Sequence, residues 1–67
     1  MSVAKVLEIS SSSDVSIEDA VRKGLTKVAE TVKNIKGAWI SEQKVVTADN
    51  GDVVQWHVNL RITFVVE

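Results

Sequence analysis

The sequence predicts an α+β fold: a β-α-β-β chain whose antiparallel three-stranded sheet carries one helix packed on one face. Three observations lead there. Apolar residues recur at spacings of three and four between positions 17 and 32, which places them on one helical face. Residues 53–66 send Val54, Trp56, Val58, Leu60, Ile62, Phe64 and Val66 to one side and a largely polar set to the other, the period-two pattern of a strand. Between that segment and the β-rich stretch 38–48 stands Asn50-Gly51, a strong short-range hairpin signal.

The elements follow in order. Residues 3–10 mix Val3, Val6, Leu7 and Ile9 with Lys5 and Glu8 and read as a short strand. The serine run at 10–13, followed by Asp14, has little to bury and reads as a turn. Ser16 stands at an N-cap position ahead of Glu18 and Asp19, whose charges favour the positive end of the helix dipole. Ile17, Ala20, Val21, Gly24, Leu25, Val28, Ala29 and Val32 make the apolar stripe, and Glu18, Arg22, Lys23, Lys27, Glu30 and Lys33 fall outside it. Lys33 and Lys36 flank the expected end and Gly37 is the expected stop. A helix of about twenty residues, roughly 30 Å long, results. Two long strands, 38–48 and 53–66, complete the chain.

Length and composition bound the rest. At 67 residues the sequence is read as a single domain, 1–67, with no cysteine for disulfides or thiolate metal sites and one histidine, His57. A chain this short buries only about 60% of its unfolded surface, and one helix covers one sheet face, so further copies are the expected support. Eight Lys and Arg against nine Asp and Glu give a net charge of −1, with no basic stripe for nucleic acid. No apolar run approaches the roughly 20 residues that span a bilayer, and Lys5 and Glu8 interrupt any signal-peptide core, so a cytoplasmic protein is expected.

Few side chains offer chemistry. His57, Asp49 or Asp52 and a serine make a triad on paper, but no nucleophile elbow presents the hydroxyl. Asp49-Asn50-Gly51-Asp52 carries oxygen ligands for a hard cation, and equally what a tight turn requires. Trp56 and Phe64 lie on the apolar side of the last strand and read as core. Trp39 follows Gly37 where Ile35 and Ile40 already serve the core, and strand register decides its face. A strict two-residue turn sets Trp39 opposite Ile62, on the core side; a loop of three or five residues, or a bulge, turns it to the open face with Ser41, Gln55, His57 and Asn59. Asp49 opposite Asp52 would pair like charges, which favours the longer loop. An indole on the open face is either an interface anchor or a stacking platform for a flat heterocycle.

Several stretches together resemble the dodecins, small flavin-binding proteins. They are Lys5-Val6-Leu7-Glu8-Ile9, the serine-rich segment before the helix, Gly24-Leu25 and Ala29-Glu30-Thr31 within the helix, Trp39 shortly after it, and the long last strand with Phe64. The resemblance implies a hollow homo-dodecamer that binds riboflavin or FMN pairwise at two-fold contacts, stores it and quenches its excited state without enzymatic turnover. It implies that Trp39 stacks on the flavin ring. The ring contact that typical members supply with a Gln falls on His57 here, with Gln55 and Gln43 near enough to hydrogen-bond. Where some members carry an arginine for a phosphate, this chain has Val65. Two rivals accompany this reading: a scaffold that binds a coenzyme A fragment or a metal ion instead of flavin, and a small enzyme with His57 as general base.

Overall fold

A computed structural model of the chain describes residues 3–66. The last strand is the centre of the sheet, paired along both of its edges. Strands β1 (Val3–Ser13) and β2 (Ile35–Thr47) pair antiparallel with opposite edges of β3 (Val53–Val66), giving the order β1-β3-β2, and helix α1 (Ile17–Ala29) connects β1 to β2. Val58, Leu60 and Ile62, alternate residues of β3, are at most 1% exposed. They form the core with Ala20 of the helix, and Ile9, Ile17, Val21, Leu25, Val28 and Ile35 pack around them. Gly24 lets the helix lie this close, because a Cβ there would stand 3.1 Å from Ile9 Cδ1 and from Ser11 Cβ.

The N-cap is as expected: Ser16 has extended backbone and its hydroxyl accepts from Asp19 N at 2.9 Å. The serine run differs from its expected turn. β1 continues through Ser13, pairing Ser10 with Asn59, Ser11 with Val58, Ser12 with His57 and Ser13 with Trp56. The hydroxyls make this possible by finding partners: Ser11 Oγ donates to Ala20 O at 2.7 Å and Ser13 Oγ to Asp19 Oδ2 at 2.6 Å. Serines thus tie the strand to the helix where apolar side chains would otherwise fill the gap.

The helix end is also corrected. It stops at Ala29 after 13 residues, rather than near Gly37 after about twenty. Val32 N still bonds to Val28 O, and then Asn34, with φ 62, turns the chain while its carbonyl accepts from Val65 N at 3.0 Å. Asn tolerates the left-handed conformation better than most residues. Ile35 must pair with Phe64 and pack on the core, so β2 begins there and Gly37 lies within it, opposite Thr63. A 13-residue helix spans about 20 Å on a molecule 53 Å long. Its packing is against β1 and β3, and every residue of β2 after Ile35 is exposed. Ile40, expected in the core, is 49% exposed, and Trp56 and Phe64 are half-buried toward the two ends of β3.

Candidate functional site

Three irregularities in the β2–β3 pairing place the side chains of the open face. The hairpin loop takes five residues, Thr47 pairing with Val53. Gly51 N donates to Ala48 O at 2.9 Å, Ala48 N to Asp52 O at 2.8 Å, and the Asn50 side chain accepts from Asp52 N at 3.0 Å. Asp49 and Asp52 are therefore not a cross-strand pair, in line with the charge argument. Val54 then bulges from β3 and cancels the odd loop, so that Lys44 faces His57 and Gln43 faces Val58, as a two-residue turn would arrange them. A second bulge at Ser41 of β2 shifts the pairing again, and Trp39 comes opposite Arg61 instead of Ile62. The indole stands on the face away from the helix and is 60% exposed.

That face is laid out as rows across the sheet. Glu8, Arg61 and Trp39 form one row; Ser10, Asn59 and Glu42 the next; Ser12, His57 and Lys44 the third. In the first, Arg61 Nε lies 3.9 Å from Glu8 Oε2, a long and solvated ion pair. The second is continuously bonded: Ser10 Oγ donates to Asn59 Oδ1 at 2.7 Å, and Asn59 Nδ2 donates to Glu42 Oε1 at 2.8 Å. Asn59 also holds the bulge, because its backbone carbonyl accepts from Ser41 Oγ at 3.1 Å. In the third, His57 Nε2 is 2.9 Å from Gln55 Oε1. A hollow of about 550 Å³ opens over these rows, lined by Ser10, Glu42, Gln43, Lys44, His57 and Asn59.

The four residues expected at a site are therefore distributed unevenly. His57 and Gln55 share the open face and a hydrogen bond. Gln43 borders the hollow, although it pairs with Val58 and so has the parity of the helix side. Trp39 is on the same open face, outside the lining of the hollow and two rows from His57. The partner of Trp39, Arg61, is four positions along β3 from His57, roughly 13 Å along a strand. One chain alone does not bring indole and imidazole to opposite sides of a single flat ring. Ser10, Glu42 and Lys44 line the hollow without having been singled out in the sequence. Glu42 and Lys44, two residues apart with regular pairing between them, share this face whatever happens at Ser41; the bulge is what brings Trp39 onto the same face.

The order of elements, the open sheet face and the outward tryptophan can be compared with known proteins. A family profile for dodecin matches residues 3–67. The chain belongs to the dodecin family. Dodecins bind small ligands and form homo-oligomers. Among solved structures, the dodecin of Streptomyces coelicolor superposes with a TM-score of 0.89 at 24% identity, covering 98% of this chain and 93% of its own. The tt0972 protein of Thermus thermophilus gives 0.91 at 22% identity, with 100% and 97% covered. The calcium dodecin of Mycobacterium tuberculosis, a calcium-chelating antigen, gives 0.81 at 25% identity, with 97% and 91% covered. No curated protein sequence matches this one. Among the described residues no helix is long and apolar enough to cross a membrane.

Proposed function

We propose that this dodecin binds riboflavin or FMN non-covalently in a cytoplasmic homo-dodecamer, stores and buffers it, and catalyses no turnover. The observation that carries the reading is Trp39, 60% exposed on a polar sheet face that the helix does not cover. A large aromatic left in water forgoes its burial energy, which a flat heterocycle stacked on it restores. The residues fit such a ligand: an indole face for the ring, and beside it a hollow lined by hydroxyl, amide, carboxylate and ammonium groups. Because Trp39 and His57 lie two rows apart, a slot with an indole on one side and an imidazole on the other needs a second copy of the chain. A bound flavin supplies visible absorption and an excited state that a stacked indole quenches by donating an electron. The protein's own part is to stack, orient and exclude water.

Freshly purified protein should be yellow and should quench the fluorescence of added riboflavin. Stacking on an aromatic contributes about 1–3 kcal/mol, so Trp39→Ala should weaken flavin binding roughly ten- to a hundredfold. Full affinity in Trp39→Ala would sink the assignment of the ring to this residue. The calcium dodecin among the similar structures favours a cation as the second reading. Among the described residues no group of three or more His, Cys, Asp or Glu gathers to hold a metal ion. Calcium titration, followed by thermal midpoint, separates the two readings.

A further inference from the structure

We propose that the Ser10–Asn59–Glu42 row is a polyol subsite: it takes the hydroxylated side chain of the flavin and favours a neutral chain over one ending in phosphate. The inference rests on the flavin reading above and assigns the tail of that ligand. Its position comes first. The row is next to that of Trp39 on the same face, about 7 Å along the strands, so a substituent of a ring stacked on the indole reaches it directly. Its chemistry comes second. Ser10 Oγ donates to Asn59 Oδ1 and Asn59 Nδ2 donates to Glu42 Oε1, at 2.7 and 2.8 Å, so these three side chains are held before any ligand arrives.

What that chain leaves unspent defines the ligand. Glu42 keeps Oε2, and an ionised carboxylate only accepts hydrogen bonds. Ser10 spends its one O–H on the hydrogen bond to Asn59 Oδ1, so its oxygen is left to accept. Asn59 Nδ2 keeps its second N–H, so the row offers two accepting oxygens and one donor, a mix that neighbouring hydroxyls of a polyol match in both senses and the oxygens of a phosphate dianion match only at the donor. Hydrogen bonds to an ionised acceptor are the stronger kind. A terminal phosphate would bring about −1.5 to −2 charges into a hollow that already holds the Glu42 carboxylate. Lys44, also on its lining, offsets only part of this.

Three probes test the subsite on the intact protein: riboflavin, FMN, and lumichrome, which has the ring system without the polyol. Affinities are read from fluorescence quenching for the wild type, Glu42→Gln and Ser10→Ala. Riboflavin should bind about tenfold more tightly than lumichrome, the worth of one charge-assisted hydrogen bond, and more tightly than FMN. Glu42→Gln should remove most of that advantage, leave lumichrome unchanged and narrow the FMN penalty. Equal affinity for riboflavin and lumichrome overturns the subsite while leaving the flavin reading intact. FMN binding most tightly does the same, as does an equal loss of all three in Glu42→Gln. If none of the three binds, the flavin reading fails and takes the subsite with it.

Discussion

Ser13 is 3% exposed, and its hydroxyl is used twice, donating to Asp19 Oδ2 at 2.6 Å and accepting from Val15 N at 2.9 Å. The bond from Ser13 holds the Asp19 carboxyl below its ordinary value; partial burial opposes this, and Lys23 and then Arg22 assist it. A carboxyl lowered in the folded state contributes stability above its unfolded value, about 3.9, and loses it as pH falls through the folded value. Acid unfolding of the wild type should therefore steepen below about pH 4. Ser13→Ala should lower the melting temperature by several degrees at neutral pH and flatten that acid dependence, as thermal melts at pH 7 and pH 3 would show. Equal acid dependence in the two proteins would remove Ser13 as the cause. Nothing in the local sequence marks Ser13 as buried. A serine before a helix suits a turn equally well, and only the helix packed above it supplies the partners.

The elements were legible where their signals are local. The apolar stripe located α1 and Ser16 its start, and alternation located β3 with the bounds Val53–Val66. The helix end was not legible, because it depends on Asn34 in a left-handed turn whose carbonyl accepts from Val65 N and on Ile35 reaching the core. The face of Trp39 depends on bulges. Val54 cancels the five-residue loop and Ser41 then decides the parity. Inserting one alanine between Trp39 and Ile40 should move Trp39 to a position opposite Ile62, on the helix side, because the added residue takes its place opposite Arg61. The expected result is weaker iodide quenching of indole fluorescence and lost flavin binding, with the sheet retained by circular dichroism. An indole as accessible as before would show that some other feature orients it.

The whole molecule is an elongated slab of 53 × 19 × 13 Å with a short helix on part of one face. Val3, Trp39, Ile40 and Val54 are each about half exposed or more, and β1 and β2 present free edges. Exposed apolar surface beside unpaired strand edges favours association. Sedimentation should give a mass well above that of one chain, at twelve chains if the dodecamer forms, and a stable monomer would defeat this. Flavin binding should disappear with dissociation, because Trp39 and His57 of one chain do not face each other.

Periodicity and turn chemistry are properties of neighbouring residues, so the sequence by itself determined the β-α-β-β order, the apolar face of the helix, the central strand and the hairpin. Side-chain facing across a sheet changes with every inserted residue. The Ser41 bulge, with its bond to Asn59, arises where loop geometry, core packing and strand pairing have to be satisfied together. Only the tertiary structure could therefore turn Trp39 outward and set Ser10, Asn59 and Glu42 in one row beside it.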